Sequence, residues 1–177
     1  QKVAITSHHP NTTRHAIRGI VNGSDFQAVL VDTPGMHKPR TLLGKRLNEV
    51  VTDSLESVDI VIMTFPANEK TGAGDEHILN IVKKSRAKKI AVVTKIDTVA
   101  KETLPVRLME VGELADWTEI IPVSAVKSLQ VDVLSNLLSK HLPEGPQLYP
   151  EDQKSDQTLE KLICEHIREA AIKGVRQ

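Results

Sequence analysis

The strongest constraint on the fold is an alternation of short apolar runs with longer amphipathic stretches. The short runs are rich in Val and Ile and end at turn-forming or charged residues, which is typical of β-strands. They predict strands at 2–6, 15–21, 26–32, 59–65, 89–95 and 119–125. The Asn22-Gly23 pair after the second strand tolerates positive φ and predicts a hairpin turn.

Apolar residues recur at helical spacing in the longer stretches. They predict helices at 42–58, 74–85, 101–114, 131–142 and 156–177. After the hairpin the order is β-α-β-α-β-α, which predicts an α/β fold with a mostly parallel sheet and helices on both faces. Ligands of such folds bind at the carboxyl ends of the strands, so the polar residues there are the candidate site.

Bulk composition removes several classes of function. The 177 residues include 23 Lys plus Arg and 23 Asp plus Glu, so no net charge draws the whole chain to nucleic acid or membrane. The single cysteine, Cys164, excludes an internal disulfide, and its place near a helical apolar stripe favours packing or exposure over reactivity. The apolar run at 60–67 is too short to span a bilayer, and the His8-His9 pair lacks the spacing of a structural metal site.

Asp32, at the end of the third predicted strand, begins a run of four residues that could bind a phosphate: Asp32, Thr33, Pro34 and Gly35. In a phosphate switch, such an Asp reaches Mg²⁺ through water, and the Gly N–H donates to the terminal phosphate. The alternative is an ordinary strand end, since Asp-x-Pro-Gly also forms a good turn.

A second motif follows the fifth predicted strand and consists of Thr94, Lys95, Ile96 and Asp97. An Asp there can accept hydrogen bonds from N1 and the exocyclic amine of guanine, a pair that adenine does not offer. The aliphatic stem of the Lys can lie across the base plane. The alternative is a solvated Lys beside a helix-capping Asp.

Two further stretches are weak signals by themselves. The last predicted strand ends with Val123, Ser124 and Ala125, where the final N–H can meet the carbonyl oxygen of a base. The loop before the hairpin consists of Asn11, Thr12, Thr13, Arg14 and His15. A Thr hydroxyl in such a loop can bind Mg²⁺ when the loop closes over a phosphate, although a flexible loop has the same composition. Together, in order and at one predicted sheet edge, these motifs predict a guanine-nucleotide site.

Six stretches, "TSHHPNTTRHAIRGI", "VLVDTPGMHKPRTLLGKRLN", "VVTKID", "IIPVSA", "LPEGPQLYPEDQKSD" and "HIREAAIKGV", resemble the Era family of bacterial GTPases. The resemblance covers essentially the whole chain. It implies a P-loop NTPase-like (Ras-like GTPase) fold, a three-layer sandwich that here lacks its first strand, P-loop and first helix. It also implies GTP or GDP and Mg²⁺ as ligands, and it places switch I at 11–15. The residues that would bind Mg²⁺ are Thr13 and, through water, Asp32. The implied GTP-binding residues are Asp32, Thr33, Pro34, Gly35, Met36, Thr94, Lys95, Ile96, Asp97, Val123, Ser124 and Ala125.

The resemblance further implies a switch protein that hydrolyses GTP, binds 16S rRNA and acts in assembly of the small ribosomal subunit. It implies a monomer in the cytoplasm, with peripheral association at the inner face of the cell membrane as a further expectation. The implied domains are a G domain over 1–143, a linker over 144–157 and the first helix of an RNA-binding KH domain over 158–177.

Four departures from the family pattern bear on these expectations. The phosphate cradle G-x-x-x-x-G-K-[ST], which in the family lies upstream of the stretch matching Gln1, does not occur in the sequence. Thr94 stands where the family has Asn, which weakens guanine preference in principle. Met36 stands where many Ras-like proteins have a water-orienting Gln. Era-like GTPases generally have an apolar residue there, so the catalytic group that positions the attacking water is unidentified. No GXXG string, which a KH module needs, occurs either.

The missing cradle leads us to expect that these residues alone are marginally stable and bind GTP weakly or not at all. Two other hypotheses stay open at this point. The chain could be a degenerate GTPase fold that serves as a non-catalytic scaffold, or a fragment with no function of its own. The basic cluster at 83–89 indicates a solvated helix end, with an RNA-phosphate contact as the alternative.

Overall fold

The computed structural model describes residues 3–5, 12–13, 16–35 and 42–174. Several predicted site residues lie outside the described residues: Asn11, Arg14, His15 and Met36. The chain forms two compact units, which are described separately. The first unit comprises Gln1–Ser54 and Gly145–Gln177, and the second comprises Leu55–Glu144.

Five strands and five α-helices follow one another along the described chain. In order they are β1 (Ile17–Asn22), β2 (Gln27–Asp32), α1 (Leu42–Glu56), β3 (Ile60–Pro66), α2 (Ala73–Val82), β4 (Lys88–Thr94), α3 (Leu104–Gly112), β5 (Glu119–Pro122), α4 (Val131–His141) and α5 (Leu159–Gly174). A short 3₁₀ helix, Ile96–Thr98, follows β4. All five predicted helices and five of the six predicted strands are present, with ends that differ by at most three residues.

The strand predicted at 2–6 is wrong over its described residues, because Val3–Ile5 form no strand. Ile5 is nevertheless buried, so its apolar character reflects packing rather than a sheet ladder. The outer edge of β1 is instead occupied by residues near the end of the chain. Ile20 N donates to Lys154 O at 3.0 Å, and Gly19 bridges Ser155 in antiparallel fashion.

Segment 148–156, which lies within the expected linker 144–157, thus follows the hairpin closely. Arg18 forms an ion pair with Asp156 at 3.0 Å at one end of the segment. At the other end, Gln27 Oε1 accepts hydrogen bonds from the N–H groups of Leu148 and Tyr149, both at 2.9 Å. Gln27 Nε2 donates in turn to Tyr149 O at 2.8 Å. The Gln27 carboxamide therefore pairs with this backbone much as a neighbouring strand would.

The hairpin of β1 and β2 is antiparallel as predicted, with Ile17 opposite Asp32 and Asn22 opposite Gln27. Neither Asn22 nor Gly23 has the positive φ that the pair tolerates. Gly23 lies close to the Phe26 ring. A Cβ on Gly23 would lie 2.1 Å from Cε1 of Phe26, whose carbonyl accepts the Gly23 N–H at 2.8 Å.

The second unit contains a three-stranded parallel sheet in the order β3-β4-β5. Strand β4 lies in the centre and alternates its buried side chains between two faces. On one face Ala91 and Val93 pack with Leu79 of α2 and Val111 of α3. On the other face Ile90 and Val92 pack with residues that include Leu138 of α4. The predicted arrangement of a parallel sheet between helical layers is confirmed here.

The starts of two helices in this unit follow from local chemistry. Helix α2 begins after Gly72, whose N–H donates to Asp75 Oδ2 at 2.8 Å, and acidic residues fill its first turn. Helix α3 has a proline in its first turn, where the missing N–H costs no intrahelical hydrogen bond. None of the helices in the described ranges is long and apolar enough to cross a membrane.

Candidate functional site

The described candidate residues fall into two groups, one in each unit. The phosphate-side group, in the first unit, consists of Thr12, Thr13, Asp32, Thr33, Pro34 and Gly35. The base-side group, in the second unit, consists of Thr94, Lys95, Ile96, Asp97, Val123, Ser124 and Ala125. Apart from Thr12 and Thr13, which precede β1, the members of each group lie at or just after the carboxyl ends of strands, which is where α/β folds bind ligands.

The phosphate-side group brings a hydroxyl and a carboxylate together. Thr13 Oγ1 donates to Asp32 Oδ2 at 3.0 Å, across nineteen residues of chain. Asp32 is the last residue of β2, so the sheet ladder fixes its backbone. Partial burial raises the pKa of the Asp32 carboxyl, and the hydrogen bond from Thr13 opposes that rise. Two oxygen ligands of this kind are the donors that Mg²⁺ prefers.

The loop after β2 combines a buried proline with an exposed glycine. Pro34 is fully buried and anchors the loop, whereas Gly35 is exposed. A Cβ on Gly35 would meet no described atom within 4 Å. The packing of the described residues therefore does not require glycine there.

The base-side group begins with a change of backbone direction after β4. Lys95 has φ 56° and ψ 32°, a left-handed conformation that is uncommon for a residue with a side chain. Thr98 holds this turn, because both its N–H and its hydroxyl donate to Lys95 O, at 3.0 and 2.7 Å. Strained backbone of this kind is often found at ligand sites.

Asp97 and Ser124 contact each other at the centre of the group. The Ser124 hydroxyl, which is fully buried, donates to Asp97 Oδ1 at 2.5 Å. Ser124 is itself held by reciprocal backbone hydrogen bonds with Leu129, at 3.1 and 2.9 Å, and its Oγ accepts the Lys127 N–H. Within the described part of the chain, Asp97 Oδ2 has no hydrogen-bond partner. A buried serine therefore orients an exposed carboxylate.

The part of the alternative in which Asp97 caps a helix is not observed, although the Lys95 side chain is about half exposed. The N-cap of the 3₁₀ helix is Lys95, and Asp97 lies inside that helix. The ammonium of Lys95 pairs with Glu69 Oε1 at 3.3 Å. Thr94, which is half-buried, contributes its carbonyl to a 2.8 Å hydrogen bond from Ala67 N.

Three features in and around the base-side group were missed by sequence reasoning: the Glu69–Lys95 ion pair, the Ser124–Asp97 hydrogen bond and the buried Arg107, which contacts Pro66 and Thr71. Arg107 is spaced three residues after Leu104 and four before Val111, so it lies on the apolar stripe of α3. A lone arginine on such a stripe is the signal that could have identified it. Glu69 and the Ser124 hydroxyl have no comparable signal, because their partners are distant in sequence.

A cavity of about 330 Å³ lies beside Asp32 in the first unit. Its walls are mostly apolar and include Val3, Ile17, Ile20 and Leu30. Its charged lining residues are Asp32 and Lys154.

Comparison with known proteins relates this geometry to a family. Residues 1–95 match the 50S ribosome-binding GTPase family. The chain is 50% identical over 182 residues to GTPase Era of Streptomyces coelicolor, covering 99% of this chain and 57% of that protein. The chain spans about three fifths of the length of the curated relatives it matches.

Two solved structures are similar over the full length of the chain. A complex of Era with MgGDPNP and nucleotides 1506–1542 of 16S ribosomal RNA has a TM-score of 0.95 at 33% identity, covering 100% of this chain and 61% of that one. An Era variant from Aquifex aeolicus bound to GDP·AlF₄⁻ has a TM-score of 0.94, with the same identity and coverage. The predicted Ras-like P-loop GTPase fold is thereby confirmed. The chain belongs to the 50S ribosome-binding GTPase family and, within it, to the Era GTPases.

Proposed function

We propose that the protein is a guanine-nucleotide switch of the Era type that hydrolyses GTP with Mg²⁺ and binds 16S rRNA. The observation that carries this proposal is the Asp97 carboxylate, held by a buried serine at the carboxyl edge of the parallel sheet. The ligands of the two solved relatives, MgGDPNP with 16S rRNA nucleotides and GDP·AlF₄⁻, support the nucleotide, the metal and the RNA.

Recognition of guanine rests on the acceptor capacity of Asp97. A carboxylate has about four lone-pair sites and only one of them is used by the Ser124 hydroxyl. The remaining sites can accept both N1–H and the exocyclic amine of guanine. Lys95 would lay its methylene stem over the base, and Ala125 N–H would donate to the base carbonyl.

Phosphate sensing rests on Thr13, Asp32 and Gly35. The hydroxyl and carboxylate oxygens of the first two lie 3.0 Å apart and fit a Mg²⁺ ion that keeps waters and phosphate oxygens as its other ligands. When bound, Mg²⁺ neutralises charge on the phosphates during attack of water. The described residues contain no group of three His, Cys, Asp or Glu side chains that could hold a metal. Gly35 N–H would donate to the terminal phosphate.

The finer parts of this proposal concern domains and location. We infer a G domain over 1–143, a connection over 144–157 and the start of a KH domain at 158–177, with a role in small-subunit assembly. The exposed apolar residues of α5 support a further packing partner for that helix: Leu159, Ile163 and Ile167. We also propose a cytoplasmic monomer with peripheral association at the inner face of the membrane.

Titration of the natural full-length protein with a fluorescent GDP analogue, with and without Mg²⁺, tests the proposal. We expect competition by GDP and GTP but not by ADP, and slow Mg²⁺-dependent GTP hydrolysis. Failure to bind either guanine nucleotide would contradict the proposal and support a non-catalytic scaffold. Residues 1–177 alone, which lack the G-x-x-x-x-G-K-[ST] string, are expected to bind GTP weakly.

A further inference from the structure

We infer that Arg107 of α3 is a positioning residue for guanine recognition, acting through the loop 67–72 on Lys95. This inference rests on the proposed function, because it concerns how the base-side group is held before nucleotide binds. Arg107 touches neither Asp97 nor Lys95 in any described contact. Its effect would pass through the loop that connects β3 to α2.

Arg107 is buried, with 7% of its surface exposed. Its Nη1 donates to Thr71 Oγ1 at 3.1 Å and to Glu110 Oε2 at 3.2 Å, and its Nη2 donates to Pro66 O at 3.5 Å. Its Nε has no hydrogen-bond partner among the described residues. Burying a guanidinium with one donor unsatisfied costs free energy, so a hydrophobic residue would pack more favourably there. The arginine therefore suits a role beyond packing.

The contacts of Arg107 lie at the two ends of loop 67–72. Pro66 immediately precedes the loop, and Thr71 is near its end. The Arg107 side chain therefore contacts both ends of the loop. This arrangement limits how far the residues between them can move. Two of those intervening residues contact the base-side group.

Ala67 and Glu69 are the residues that connect the loop to the Thr94-Lys95 turn. Ala67 N donates to Thr94 O at 2.8 Å and fixes the residue before the left-handed turn. Glu69 Oε1 pairs with Lys95 Nζ at 3.3 Å. The Ala67 contact continues the β3–β4 ladder, in which Pro66 pairs with Thr94. The Glu69 contact depends instead on the position of the loop, which Arg107 contacts at both ends.

We expect Arg107 to affect nucleotide affinity by ordering the Lys95 side chain rather than through the strength of the Glu69–Lys95 ion pair. Glu69 and Lys95 have side chains that are 61% and 54% exposed, and exposed ion pairs contribute little. A lysine stem that is already oriented loses less freedom when it covers a base. Restraining one flexible side chain before binding changes affinity about two- to tenfold.

The experiment compares four variants of the natural full-length protein: Arg107→Met, Lys95→Ala, the double variant and Val111→Ala. Methionine keeps the length of the side chain but removes its charge and donors. Val111 is fully buried on the same helix and makes no contact with loop 67–72 through hydrogen bonds, so its truncation controls for lost stability. The measurement is the rate at which a fluorescent GDP analogue dissociates after a chase of unlabelled GDP.

We expect Arg107→Met to speed dissociation about two- to tenfold, and Val111→Ala to leave it near the wild-type rate. In the Lys95→Ala background, Arg107→Met should have a much smaller effect, because the side chain it orients is gone. An equal effect in both backgrounds, or an equal effect of Val111→Ala, would overturn the inference. Wild-type protein that does not bind the GDP analogue would instead refute the proposed function, so the two failures are distinguishable.

Discussion

The Ser124 hydroxyl donates to the Asp97 carboxylate, and this hydrogen bond joins the loop after β4 to the loop after β5. The serine is fully buried, and its backbone forms two hydrogen bonds with Leu129, whereas Asp97 is exposed. The contact therefore transmits order from the interior of the second unit to a carboxylate at its surface. Guanine recognition should depend on both partners, with different results when each is changed.

Ser124→Ala is expected to weaken GDP binding about tenfold, which corresponds to about 1.4 kcal/mol. This is near the low end of the net worth of a hydrogen bond to a charged group. Equilibrium titration with a fluorescent GDP analogue measures the loss. Ser139→Ala, which removes a hydroxyl on α4 that bonds only to Asn136 O, should leave the affinity unchanged.

Asp97→Asn is expected to reverse the preference between guanine and xanthine nucleotides. The carboxamide offers a donor in place of an acceptor, and xanthine has a carbonyl where guanine has its exocyclic amine. Loss of a paired hydrogen bond in a polar site costs about a hundredfold or more in affinity. Competition between GDP and XDP measures the preference, and a variant that still favours GDP would contradict the assigned role of Asp97.

Gly23→Ala is expected to destabilise the first unit, because the new Cβ would lie 2.1 Å from the Phe26 ring. Overpacking of this size costs about 1–3 kcal/mol. In a protein of 150–250 residues that lowers the melting temperature by about 2–4 °C for each kcal/mol. Gly145→Ala is the matched control, since a Cβ there meets no described atom within 4 Å.

Asp32→Asn is expected to raise the stability of the protein at neutral pH in the absence of Mg²⁺ and nucleotide. Burial raises the pKa of this carboxyl above its ordinary 3.8, so the folded state holds the proton more tightly than the unfolded state. The carboxyl therefore does not lower the free energy of unfolding well below pH 3.8, where it is protonated in both states. As the pH rises, it lowers the free energy of unfolding progressively, until the pH exceeds the folded-state pKa. Thermal unfolding at several pH values should show that the difference in stability between the variant and the wild type increases over that pH range and then stays constant.

Gln27→Ala is expected to loosen segment 148–156 locally. The Leu148 and Tyr149 N–H groups lose their acceptor, with a net cost of about 1–2 kcal/mol. Hydrogen exchange of those two amides should accelerate. Gln27→Glu retains the acceptor oxygen and should preserve more of their protection, whereas equal acceleration in both variants would contradict the pairing.

Local patterns were sufficient to predict most of the secondary structure. The four central residues of β4 are apolar because both faces of the strand are covered, and the amphipathic helices carry the complementary stripes. The pattern failed at 2–6, because an apolar run indicates burial without indicating which edge pairs with it. Residues 154–156 pair with β1 although nothing in their composition predicts a strand.

The sequence by itself determined the order of the elements, the parallel sheet and the positions of the candidate motifs, since these depend on periods of two to four residues. Only the tertiary structure decided which side chains meet. Ser124 lies 27 residues from Asp97, Thr71 lies 36 from Arg107, and Asp156 lies 138 from Arg18. Such pairs form because the folded backbone brings their elements together. Local sequence patterns, which extend over a few residues, cannot predict contacts between residues so far apart in the chain.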